Sequence, residues 1–204
     1  MSAVNEWIAR EYFESLGYLV SQPCKYESQG KKKRVEEDLD LLVMHPQVTD
    51  SLMPETMVWT SADLKSVGRA VVGVRGGYTE RFYMADFAQA PEILRYAERA
   101  ARLVAAARLG GEPPVVILCV PELPVSEDLK EKMLAGLRER GVDGVITFRT
   151  MLAELLGGVR VNRNYEKSDL LQILRLLKAN NLVKDPQMEL FDKRGRKPAP
   201  KAAP

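Results

Sequence analysis

The chain has 204 residues, 46% hydrophobic and 28% charged, ordinary globular usage that excludes a chain disordered throughout and favours one compact domain with a small appendage or tail. Thirty Lys and Arg nearly balance 28 Asp and Glu, for a formal charge of +2, so net charge argues neither for nor against nucleic acid; only its distribution informs. No apolar run approaches the roughly 18–20 residues a bilayer requires, and the start, MSAVNEWIARE, lacks a basic stretch followed by an apolar core. The expectation is therefore a cytoplasmic protein without membrane contact, with Cys24 and Cys119 as free buried thiols.

Residues 4–16 place Trp7, Ile8, Tyr12, Phe13 and Leu16 at helical spacing, closed by Gly17. Tyr18-Leu19-Val20 starts a strand, and a hydrophilic stretch containing Lys31-Lys32-Lys33-Arg34 follows. Residues 35–44 (VEEDLDLLVM) alternate and then turn continuously apolar, the pattern of a strand entering a core. His45-Pro46 ends it, and the histidine reads as a turn residue. Residues 57–67 (MVWTSADLKSV) read as a third strand, and 69–75 and 78–85 as two more joined by Gly76-Gly77.

An Ala- and Arg-rich helix is expected over 92–109, with Arg95, Arg99 and Arg102 recurring on one face among Glu92 and Glu98. Val115–Val120 is a short buried strand. A helix capped by Ser126 runs to about Arg140, and 142–148 is a strand with a short helix after it to Leu156. A last amphipathic helix at 168–183 is capped by Ser168, and from about Asp185 the composition gives way to a disordered basic tail. The whole is an α/β sheet covered by helices, read as a core over 1–125, an extension over 126–183 packed on it, and a tail over 184–204.

The unusual residues lie at 38–40 and 63–65. Asp38 and Asp40 are acids in a segment otherwise becoming core, and on a strand Asp63 and Lys65 share one face. Carboxylates converging beside an ammonium suit Mg²⁺, which takes a few carboxylates plus waters and phosphate oxygens. A lysine there can orient or deprotonate a water while the metal stabilises charge on phosphate.

In this arrangement the chain resembles the PD-(D/E)xK nuclease superfamily, the restriction-endonuclease-like fold, whose core order of helix, three strands, helix, strand is readable over 4–120. Glu6 stands where the family has a helical glutamate, Asp40 where it has the metal-binding aspartate, and Asp63-Leu64-Lys65 where it has (D/E)xK. The resemblance implies Mg²⁺ (or Mn²⁺) held by Asp40, Asp63 and the Leu64 carbonyl, with Lys65 positioning water and Glu6 supporting a metal-bound water. It implies phosphodiester hydrolysis of DNA in repair, recombination or restriction. Leu39 stands where many members have proline, Asp63 is the rarer acid, and Asp38 competes with Asp40 for the aspartate position. A binding module on the same fold, with catalysis lost, is the alternative.

Lys31, Lys32, Lys33 and Arg34, with Arg75 and Arg81 of the hairpin, are the candidate phosphate contacts. Gln187-Met188-Glu189-Leu190-Phe191 resembles the pentapeptide by which bacterial replication and repair proteins dock on the sliding clamp, with Leu190 and Phe191 as anchors and Gln187 fixing register. One histidine and two distant cysteines leave no structural zinc site, and no phosphate-binding G-x-x-x-x-G-K-[ST] occurs.

Overall fold

A computed structural model describes residues 3–23, 35–49, 52–76 and 91–183. Five strands form one open sheet in the order β1-β2-β3-β4-β5: β1 Leu19–Ser21, β2 Leu41–Met44, β3 Arg69–Val74, β4 Val115–Val120 and β5 Gly144–Thr147. β1, β2 and β3 run antiparallel as a meander, while β3, β4 and β5 are parallel. The helices are α1 Ala3–Ser15, α2 Arg99–Arg108, α3 Glu127–Glu139, α4 Phe148–Gly158 and α5 Asp169–Ala179. Among the described residues of 3–120 the order is thus helix, three strands, helix, strand.

Strand alternation builds two cores, one on each face of the sheet. On one face Leu41, Val43, Val72, Ile117 and Ile146 meet Tyr12 and Phe13 of α1, Met151 and Leu155 of α4 and Leu174 of α5. On the other, Leu42, Val71, Val116, Leu118 and Val145 meet Tyr96, Ala101 and Ala105 before and on α2, and Met133 and Leu137 of α3. β4 is buried at all six positions, as expected of a strand with parallel neighbours on both edges and helices on both faces. β5 completes the same sheet and α4 packs against α1, so residues 126–183 share both cores with the rest. Ser168 caps α5, its hydroxyl accepting from the Leu171 N–H at 3.2 Å.

Three expected elements differ. Residues 57–67 are not a strand. Val58 makes a single parallel bridge to Val145, and 63–66 form a 3-10 turn. The cause is local: Asp63 Oδ2 accepts from the Thr60 N–H at 2.7 Å and from Thr60 Oγ1 at 2.8 Å, bending the chain where a strand would stay extended. The third strand is therefore Arg69–Val74, which sequence reading had placed in a hairpin; the second half of that hairpin, 78–85, lies outside the described residues. Of 35–44 only Leu41–Met44 is strand, preceded by a 3-10 turn at Val35–Asp38. The helix expected over 92–109 is divided: Pro91–Ala97 is 3-10 and α2 begins after Glu98, whose ψ of 153° is extended. Among the described residues no helix is long and apolar enough to cross a membrane. Cys119 is a free buried thiol, with burial raising its pKa; Cys24 lies outside the described residues.

Candidate functional site

Asp40 stands one residue before β2, beside the last residues of β3. Its Oδ2 accepts the Val74 N–H at 2.8 Å and pairs with the Arg75 guanidinium; neither bond uses Oδ1. Both side chains of the pair are at least nine-tenths buried. Arg75 is held on further sides: Nε donates to the Ile93 carbonyl at 2.7 Å, Nη1 to the Val74 carbonyl at 2.9 Å, and the guanidinium lies 5.2 Å from the Tyr96 ring centroid. Its backbone N–H donates to Cys119 of β4 at 2.9 Å.

Glu6, in the first turn of α1, reaches the same end of the sheet. Burial raises its carboxyl above the ordinary range, and the Asp40 charge raises it further. Gln22 Nε2 approaches Glu6 Oε2 at 3.5 Å, a marginal contact. Asp40 is also raised, by burial first; the Arg75 cation and the Val74 N–H oppose that rise. A divalent ion here would compete with a guanidinium already seated on the Asp40 carboxylate.

Since β3 is Arg69–Val74, the residues facing Asp40 at the end of the third strand are Gly73, Val74 and Arg75. None is a carboxylate. A Cβ at Gly73 would fall inside the Tyr96 ring, so Tyr96 fills the space where a third-strand acid would project. Tyr96 is fully buried, its hydroxyl has no hydrogen-bond partner among the described residues, and burial raises its pKa.

Asp63, Leu64 and Lys65 lie at the opposite end of the sheet, just before β3 begins. The Leu64 carbonyl, an expected metal ligand, accepts from the Tyr18 hydroxyl at 2.6 Å and from the Val67 N–H at 3.0 Å. Asp63 is committed to Thr60, and Lys65 is exposed beside His45 on the wall of a cavity. With β2 between them, His45 and Asp40 are five residues apart along extended chain, about 16 Å at ~3.3 Å per residue. The four residues expected to converge therefore divide into two sites, Glu6 with Asp40 at one end and Asp63 with Lys65 at the other. Among the described residues no group of three or more His, Cys, Asp or Glu side chains is placed to hold a metal ion. Asp38 lies in the 3-10 turn ahead of β2.

The chain matches no protein-family model, no curated protein and no solved structure.

Of the residues expected to touch nucleic acid, Arg75 is internal, bound to Asp40 and to the Ile93 carbonyl rather than presented to a partner. Lys31, Lys32, Lys33, Arg34 and Arg81 lie outside the described residues, as do Gln187, Leu190 and Phe191. Arg95 and Arg99 are exposed. Sequence reasoning missed Tyr96 and the internal role of Arg75. The signal was a glycine inside a strand, which marks a close approach by another group, followed two residues later by a cation.

Proposed function

We propose that the chain is a nucleic-acid-binding module with a nuclease-like order of elements, in which Asp40, just before β2, serves structure rather than hydrolysis. The observation that carries this reading is the Asp40–Arg75 pair: the carboxylate that a nuclease would give to a metal is neutralised by a buried guanidinium, and Gly73 under Tyr96 stands where a second acid would be needed. The phosphate contacts are assigned to Lys31, Lys32, Lys33 and Arg34, four consecutive cations in the sequence. The basic end KRGRK adds non-specific attraction, and Gln187, Leu190 and Phe191 supply a clamp-docking peptide on this reading.

The test is fluorescence anisotropy of labelled duplex and single-stranded DNA over a salt series, with wild type and a variant carrying Ala at 31–34. The wild type is expected to bind with an affinity that falls steeply with salt. Each phosphate contact removed should lower the logarithmic slope by about 0.9 on duplex DNA. An unchanged slope in the variant refutes the assignment.

One observation favours a second reading, Mg²⁺- or Mn²⁺-dependent hydrolysis of DNA. Glu6 and Asp40 bring two carboxylates to one end of the sheet close enough for the Asp40 charge to shift Glu6. On that reading these two residues would hold the ion, and the ion would supply stabilisation of charge on the phosphate. Metal-dependent cutting abolished by Glu6→Gln in a folded protein would establish it.

A further inference from the structure

The end of the sheet away from Asp40 carries a cavity of about 410 Å³, within the range of small-molecule sites. It opens between the close of α1, the turn after β2 and the 3-10 turn at 63–66. Its apolar walls include Leu16, Tyr18 and Val48; its polar groups include Ser61, His45 and Lys65. Among the described residues no carboxylate lines it; Asp63, two residues from Lys65, is turned onto the Thr60 N–H and hydroxyl. The described lining thus has one fixed positive charge, Lys65, and no negative one.

The walls are held in place before any ligand arrives. The Tyr18 hydroxyl lies 2.6 Å from both the Leu64 and the Val67 carbonyls, sharing one proton between them and tying the 3-10 turn to the start of β1. Tyr12 Oη and Ser61 Oγ are 3.0 Å apart, and the His45 N–H donates to Gly68 at 2.7 Å. The His45 ring stands edge-on to Tyr18, centroids 5.0 Å apart. Its Nδ1 accepts the Gln47 N–H at 3.3 Å. An ammonium, an imidazole ring and a hydroxyl thus stand around an apolar floor.

We propose that this cavity binds a small organic anion with an apolar body, its carboxylate or phosphate head at Lys65 and its body against Leu16, Tyr18 and Val48. The site is separate from the Glu6–Asp40 end of the sheet, and it accounts for a lysine that the sequence pattern had suggested for catalysis.

The test is titration of the ¹⁵N-labelled full chain with benzoate, phenyl phosphate and the uncharged isostere benzamide, followed by amide chemical shifts. Saturable shifts at 16–18, 45–48 and 61–65 are expected. Each anion should bind about fivefold tighter than benzamide, the discrimination of an exposed charge pair. Lys65→Gln should remove that preference, and Val48→Trp, which fills the cavity, should remove binding of all three. The tighter of the two anions identifies the head group as carboxylate or phosphate. Equal binding of benzoate and benzamide, shifts that map elsewhere, no saturable shift at millimolar concentration, or a preference that survives Lys65→Gln would overturn the proposal.

Discussion

Replacing Arg75 with methionine tests whether the Asp40 carboxylate is structural. The substitution keeps most of the aliphatic volume and removes the cation, leaving Asp40 buried with the Val74 N–H as its one described donor. Breaking a buried ion pair from one side costs about 3–5 kcal/mol, a large share of the ~5–15 kcal/mol that holds a typical domain. Urea unfolding followed by far-UV circular dichroism measures it. The loss should also depend on pH in a definite direction. Burial already raises the Asp40 carboxyl, and Arg75 is among the groups that hold it down. A raised carboxyl favours the protonated folded form, so its stabilising contribution is full at low pH and is lost as pH rises through the raised value. Without Arg75 that value climbs further. The cost of Arg75→Met should then be largest near neutrality and shrink on acidification. Adding Asp40→Asn should recover most of the loss, because a neutral amide oxygen still accepts from Val74 and no charge is left in the interior. A loss under about 1 kcal/mol, or one equal with and without Asp40→Asn, would refute the coupling.

Gly73→Ala should destabilise by about 1–3 kcal/mol, since its Cβ would enter the Tyr96 ring; a thermal melt detects this, and an unchanged midpoint contradicts the packing described. Tyr96→Phe removes a buried hydroxyl without a described partner and should be neutral or stabilise by up to about 1 kcal/mol in urea. Tyr18→Phe should cost about 1–3 kcal/mol, because the buried Leu64 and Val67 carbonyls lose their shared donor. The same variant should loosen the cavity wall, seen as faster amide exchange at 64–67.

Much of the fold was legible because pattern and environment agree. β4 reads directly from VVILCV, six apolar residues between prolines. α1, α3 and α5 follow from helical spacing; Ser168 caps α5 through its hydroxyl, whereas Ser126 stands at the N-cap position of α3 with no side-chain cap bond. The third strand was misplaced because MVWT alternates like a strand and does bury Met57 and Trp59. What the pattern did not convey is that Asp63 satisfies Thr60 locally and turns the chain. That one displacement moved the supposed third-strand acid and lysine to the wrong end of the sheet. Asp40 was legible as a carboxylate entering a core. Its partner was not, because Arg75 lies 35 residues away and is brought beside it by the antiparallel pairing of β2 and β3.

The most direct measurement places end-labelled duplex and single-stranded DNA with the full chain in Mg²⁺, Mn²⁺ or EDTA, reading retention on a native gel and strand integrity on a denaturing one. The account predicts retained, intact DNA under all three conditions, with retention weakening as salt rises. DNA that runs free at low salt, or metal-dependent cutting that Asp40→Asn abolishes in a folded protein, would contradict it.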